Sequence, residues 1–286
     1  MWALILHGGA KAIEPAEAAA HRSGCLRALA AGREVLAHYG SAVDAVEAAV
    51  RALEADPTFN AGYGSALNSE GEVQMCSAIM EGNAFNVGAV AAIGGVRHPV
   101  SVARAMLFEE PVLMTGPGAR RFAEQKGVAL CAPEDLIAHG KVGKDGTHDT
   151  VGCIALDEDG HLAVGTSTGG LDGSPPGRIG DSPQPGCGYY VDDAIGGVAF
   201  SGDGEHIARK MLAARVMHAM DGGVPDEALK TALAQVQSIG GEAGGIALLP
   251  DGRFAWRHNS RDFAVAMQSS GQVEPSVFIR KQEEEP

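Results

Sequence analysis

One junction limits what this chain can fold into more than any other stretch. From Gly140 to Asp149 the sequence is polar and rich in glycine and lysine. At Thr150 it turns abruptly into Thr150-Val151-Gly152-Cys153-Ile154-Ala155-Leu156. A short run of small and β-branched apolar residues suits a strand buried on both faces. Thr150 therefore stands where an exposed loop becomes core. Taken alone, a threonine there is most simply a strand-end hydroxyl. Two further turns add weight to it, Gly165-Thr166-Ser167-Thr168-Gly169-Gly170 and Ser201-Gly202-Asp203-Gly204-Glu205, each after an apolar run. Three such turns can bring hydroxyls and bare N–H groups to one end of a sheet.

The rest of the chain supplies strands in pairs and helices in pairs. Residues 2–6 read as a short strand stopped by His7-Gly8-Gly9-Ala10, with His7 a satisfied turn histidine. Helices are expected over residues 17–38 and from Ser41 to about residue 55. The second opens on the capping-box pattern Ser41-Ala42-Val43-Asp44. Strands over 72–80 and 86–93 flank the hairpin signal Glu81-Gly82-Asn83. Helices over 100–108 and 118–125 enclose a short strand at 112–115. After Thr150, strands are expected at 150–156, 162–167 and 195–201, a long polar turn at 171–187, and helices at 205–220 and 226–236. A hairpin at 245–249 and 253–258 follows, with a short strand and an acidic tail after Gln272. This order predicts an α+β fold, two stacked sheets covered by helices.

Composition narrows the partners. With 36 acidic against 22 basic residues, the formal charge of −14 argues against nucleic acid and anionic membranes. Five scattered cysteines without a Cys-x-x-Cys pair suit a reducing compartment, and the expectation is a cytoplasmic protein. No Gly-x-x-x-x-Gly-Lys-[Ser/Thr] occurs, and His7 and His148 lack zinc-site spacing.

A threonine hydroxyl is a poor nucleophile at neutral pH and needs a base. If the bond between Asp149 and Thr150 were cut, the new α-amine would supply one on the same residue. Its ordinary pKa of about 7.7–8.0 leaves a useful neutral fraction at cell pH.

Six pieces spanning nearly the whole chain then occur together and in order. They are Leu6-His7-Gly8-Gly9-Ala10, Phe59-Asn60-Ala61-Gly62, Asp149-Thr150-Val151-Gly152, Gly165 to Gly170, Gly177-Arg178-Ile179-Gly180-Asp181-Ser182-Pro183, and Ser201 to Glu205. On these the chain resembles the plant-type asparaginase/isoaspartyl peptidase family of self-processing N-terminal-threonine (Ntn) hydrolases. The resemblance implies one αββα domain over residues 1–286, two mainly antiparallel sheets flanked by helices, cut into 1–149 and 150–286. Thr150 would be the nucleophile, and Thr168 would hydrogen-bond and orient it. Arg178 would clamp the substrate α-carboxylate, and Asp181 and the Gly204 carbonyl would take its α-ammonium. Ser201 and the Gly202 N–H would form the oxyanion hole, and Asn60 would steady the nucleophile's surroundings. The backbone of residues 53–60, from Leu53 to Asn60, would wrap a structural sodium ion, with no catalytic cofactor. A homodimer of cleaved protomers is also implied.

The activity implied is hydrolysis of β-aspartyl amides, in isoaspartyl dipeptides and asparagine. Alternatives are a glycosylasparaginase-like hydrolase and an uncleaved, non-catalytic binder of small zwitterions. Several positions depart from the family pattern: Ser201 for threonine, Cys76-Ser77 for Asp-Ala, and Asn259-Ser260-Arg261-Asp262-Phe263 for Asn-Thr-x-Gly. Asp203 is either the cap of the helix beginning near Glu205 or a carboxylate facing the pocket. In the second case it would favour basic leaving groups, as in β-Asp-Lys and β-Asp-Arg.

Overall fold

The computed structural model describes residues 1–138 and 150–284. The junction residues Asp149 and His148 lie outside the described residues. Strand β1 (Ala3–Lys11) is followed by helices α1 (Ala18–Ala37) and α2 (Ala42–Glu54). Next come β2 (Met75–Glu81), β3 (Val87–Ile93), α3 (Pro99–Met106), β4 (Leu113–Thr115) and α4 (Gly116–Gln125). After the junction run β5 (Thr150–Leu156), β6 (Leu162–Thr168), β7 (Tyr189–Asp192) and β8 (Gly196–Gly202). Helices α5 (Gly204–Lys210), α6 (Leu212–Met220) and α7 (Pro225–Gln237) precede β9 (Ala243–Leu248), β10 (Phe254–His258), β11 (Asp262–Ser269) and β12 (Ser276–Phe278).

Eight strands form one sheet in the order β12-β11-β1-β5-β6-β2-β3-β4, and four form a second, β10-β9-β8-β7. Among the named strands of the described residues, β3 and β4 form the parallel pair. The sheets stack through Ile5, Ile154 and Val164 of the first against Val191, Ile246 and Trp256 of the second. Outside the large sheet, Leu29, Val46 and Val50 of α1 and α2 pack on Leu4 and Cys153. Outside the small sheet, Val216, Leu229 and Val236 of α6 and α7 pack on Val198 and Ala247. The αββα sandwich expected from the sequence is the fold. Because β5 lies inside the large sheet, both sides of the 149/150 junction share one core.

Some elements differ from the sequence expectation. The first strand does not stop at His7 but continues to Lys11, because the pairing with β11 slips between His7 and Ala10. Gly8 and Gly9 absorb this bulge: Gly9 has φ +106°, and a Cβ on Gly8 would lie 2.4 Å from the Phe59 ring. The helix expected over 205–220 is two helices, broken at Met211, whose φ of +49° is left-handed. Strands β7 and β11 have no counterpart in the expectation. Ser41 caps α2 as expected, with its Oγ accepting from the Asp44 N–H at 3.1 Å, but Asp44 Oδ2 accepts from the Ser41 hydroxyl at 2.7 Å and so makes half of a capping box.

At the C-terminal end of α2, Glu54 is fully buried. Its Oε1 accepts from the Val100 N–H (3.0 Å) and the Ser167 hydroxyl (2.7 Å), and its Oε2 lies 3.1 Å from His98 Nδ1. Burial raises its pKa, and His98, Ser167 and Val100 pull the other way. One carboxylate thus ties α2 and the start of α3 to β6, one residue before Thr168. Glu54→Ala leaves the buried Val100 N–H and Ser167 hydroxyl and the part-buried His98 without this partner and is expected to cost about 3–5 kcal/mol in urea unfolding, with Glu54→Gln losing less.

Candidate active site

Strand register builds the centre of the site. Thr150 on β5 pairs with Thr168 on β6, which pairs with Cys76 on β2. Directly paired residues point to the same face of a sheet. Here that face is the one between the two sheets, since Ile154, Val164 and Ala78 of the same strands pack there. The Thr150 hydroxyl lies 2.7 Å from Ser182 Oγ, and its N–H donates to Ser201 Oγ at 3.1 Å. Ser201 Oγ also accepts from the Ala10 N–H at 3.0 Å. Two incoming N–H bonds leave the Ser201 hydroxyl proton to be donated elsewhere.

Thr168 was expected to hydrogen-bond Thr150, but the hydroxyl partner of Thr150 is Ser182. Thr168 Oγ1 instead accepts from the Gly170 N–H at 3.1 Å. Threonines paired across a sheet stand side by side, whereas the loop after β6 carries Ser182 over the end of β5. Thr166 Oγ1 fixes that loop by donating to the Ser182 carbonyl at 2.6 Å. Ser182 received no role from the sequence; its signal was its place directly after Asp181 in the Gly-Arg-Ile-Gly-Asp-Ser piece. Asn60 ties the next turn in place. Its side chain donates to the Gly170 carbonyl (2.7 Å) and accepts from Ala66, and its carbonyl accepts from the Gly169 N–H (2.8 Å).

Arg178, Asp181 and Gly204 come together beside this row. A Cβ on Gly204 would meet Asp181 Oδ1 at 2.8 Å and Arg178 Nη2 at 3.3 Å. Glycine is required there because any side chain would fill the space between the two charged groups. Asp181 is buried, and its Oδ2 has no hydrogen-bond partner. Burial pushes its pKa up to about 7; Arg178 opposes the rise and Glu205 adds to it. Arg178 does not pair with Asp181 as a surface ion pair. Its Nε and Nη2 donate to the two oxygens of Glu205 at 2.8 and 2.7 Å. Gly202 ends β8 with φ +140°, where a Cβ would strike the Glu242 carbonyl at 2.3 Å.

Asp203 occupies the residue before α5, yet its side chain does not cap that helix. With the backbone extended there, Oδ2 accepts from the Glu242 N–H at 2.8 Å and ties β8 to the turn before β9. Asp262 is fully buried and anchors the Ile13 N–H and Arg280, joining β11 to the chain after β1. His7 is not the turn histidine expected: it lies inside β1, fully buried, with its ring against the Thr150 backbone. Burial lowers its pKa to about 3, only partly offset by the Thr150 backbone, so the imidazole is neutral. A Cβ on Gly152 would lie 2.3 Å from its Nε2, which explains the glycine in the middle of β5. Cys76 is also neutral, its thiol raised to about 11 mainly by burial.

Arg178 and Asp181 converge beside a small hydroxyl cluster, where the resemblance puts the site; comparison with known proteins bears on the family. A family model described as asparaginase matches residues 1–144 and 135–278. The chain belongs to the asparaginase family. Among curated relatives, the isoaspartyl peptidase/L-asparaginase of Bos taurus is 36% identical over 293 residues, covering 96% of this chain and 95% of its own. That of Danio rerio is 36% identical over 296 residues, with 96% and 94% covered. A probable isoaspartyl peptidase/L-asparaginase of Drosophila pseudoobscura pseudoobscura is 40% identical over 252 residues, with 76% and 77% covered. Members of the family share an Ntn-hydrolase type of fold, as the two stacked sheets here do.

Proposed function

We propose that this protein hydrolyses β-aspartyl amides, in isoaspartyl dipeptides and asparagine, with Thr150 as a nucleophile freed by cleavage after Asp149. The observation that carries this is the Thr150 hydroxyl and nitrogen held by Ser182 and Ser201, with Arg178 and the buried Asp181 converging on Gly204 beside them. Arg178 takes the α-carboxylate, and Asp181, with its unpartnered oxygen, takes the α-ammonium. The Thr150 hydroxyl gives its proton to its own α-amine and attacks the β-carbonyl. Ser201 then donates its hydroxyl proton to the oxyanion. The ammonium returns a proton to the leaving amine as the C–N bond breaks, leaving an aspartyl ester on Thr150. Water, deprotonated by the same amine, attacks the ester and releases aspartate. Assay against a panel of β-aspartyl dipeptides and asparagine tests this; turnover of none would refute it.

Asp181 must be anionic to hold an ammonium, and its pKa stands near 7. Affinity for L-aspartate is therefore expected to weaken up to tenfold per unit as pH falls below 7 and to level off above it. Asp181→Asn should flatten that dependence. Titration by calorimetry between pH 5.5 and 8.5 reads it directly, apart from the titration of the nucleophile.

A preference for basic leaving groups such as β-Asp-Lys and β-Asp-Arg would come from Asp203, two residues after Ser201, whose carboxylate is held by the Glu242 N–H. Asp203→Asn should narrow the ratio of β-Asp-Lys to β-Asp-Leu turnover by about tenfold; an unchanged ratio leaves Asp203 as a β8–β9 tie alone. The backbone of residues 53–60 is read as the wrap of a structural sodium ion. The carbonyls of Pro57 and Phe59 converge, each 3.1 Å from a Cβ built on Gly64. Oxygen ligands of this kind suit a hard cation. Replacing sodium by choline should lower the melting temperature. The reaction is placed in the cytoplasm, in keeping with five unpaired cysteines, and in a homodimer of cleaved protomers.

A further inference from the structure

Arg178 is the cation of the site among the described residues, and two of its five N–H donors are already engaged. Glu205, in the first turn of α5, grips the Nε/Nη2 edge with both oxygens. The guanidinium is largely buried while Glu205 is half exposed. This leaves the Nη1/Nη2 edge for any ligand. A Cβ on Gly180 would stand 3.2 Å from Nη1 and one on Gly204 3.3 Å from Nη2, so two glycines keep that edge uncovered.

The charge balance follows from the same contacts. Arg178 contributes one positive charge, and Glu205 and Asp181 can each contribute a negative one. Cys76, close enough to feel both Arg178 and Asp181, stays a neutral thiol. A ligand carrying both a carboxylate and an ammonium adds no net charge. One carrying the carboxylate alone brings a further negative charge to an arginine that Glu205 has already partly neutralised, beside a second carboxylate.

Resting on the assignment of Arg178 and Asp181 to the aspartyl group, we propose that Glu205 is a positioning and specificity-determining residue. It fixes which edge of Arg178 the substrate meets, and it makes the site select acyl groups with a free α-ammonium over those with the carboxylate alone. Succinyl amides, which lack that ammonium, are thereby rejected.

Calorimetry of L-aspartate and succinate, which differ by the ammonium alone, tests this on the purified protein at pH 8. Wild type is expected to bind succinate about a hundredfold more weakly than L-aspartate. Glu205→Gln keeps the shape and removes the charge; it should tighten succinate about tenfold and change L-aspartate by less than about threefold. Glu205→Asp keeps the charge but lacks the reach; it should weaken both ligands while preserving their ratio. An unchanged ratio in Glu205→Gln, equal weakening of both ligands by that variant, or a wild type that binds neither would overturn the proposal. Hydrolysis of β-Asp-Leu, followed in parallel, separates this from the functional assignment. A wild type that turns over no β-aspartyl peptide, yet shows the expected binding pattern, breaks that assignment and upholds the role of Glu205.

Discussion

Thr150→Ala protein will run as one chain of 286 residues and hydrolyse no β-aspartyl substrate. The methyl side chain removes the nucleophile of both reactions, the cut after Asp149 and the attack on substrate. The rest of the site has no replacement for it. Ser182 and Ser201 lie at hydrogen-bonding distance from Thr150, but neither carries an α-amine that self-cleavage would expose. The expected loss in turnover is on the order of 10⁴–10⁶-fold, the range for removing a nucleophile from an otherwise intact site. Thr150→Ser retains the hydroxyl and should still cleave, more slowly, because it lacks the β-branching that stiffens χ1 on a buried strand. A denaturing gel and a dipeptide assay on the same preparations give both readouts.

Arg178→Lys carries the second-largest expected effect. Arginine holds Glu205 through one edge, and in the proposed reaction it holds the substrate carboxylate through the other. A lysine ammonium offers a single point charge on a flexible stem and cannot hold both in fixed directions. We expect kcat/KM on β-Asp-Leu to fall by about 10²–10³, roughly 3–4 kcal/mol, while cleavage after Asp149 proceeds, since no contact joins Arg178 to the Thr150 nitrogen or hydroxyl among the described residues. A loss of less than about threefold would remove Arg178 from substrate binding. So would equal turnover of a substrate whose α-carboxylate is amidated.

The layered fold was legible because its strands and helices obey local pattern. The helix cap at Ser41, the hairpin at Glu81-Gly82-Asn83 and the apolar run from Thr150 each became the element expected. What failed depended on distant partners. β1 runs past His7 because β11 pairs with it across a bulge, and that strand lies more than 250 residues away in sequence. β11 itself begins at Asp262, a charged residue that reads as loop until Ile13 and Arg280 are seen to satisfy it.

At the site, residue types announced Thr150, Arg178 and Asp181, but not who holds them. Ser182 rather than Thr168 meets the Thr150 hydroxyl, and Glu205, which received no role from the sequence, takes the Arg178 fork. Both contacts are made by segments that follow a strand end, where no periodicity operates. The same holds for Asp203, whose type and position suit a helix cap while its backbone turns the carboxylate to Glu242.

The central claim is that catalysis passes through an ester on a threonine that begins its own chain. Intact-mass spectrometry of the enzyme, acid-quenched during turnover of β-Asp-Leu, addresses it directly. The account predicts two chains of 149 and 137 residues (286 − 149 = 137), with one aspartyl unit on the shorter, localised to its N-terminal Thr150. A single uncleaved chain that turns over substrate, or an aspartyl adduct on any other residue, would contradict it.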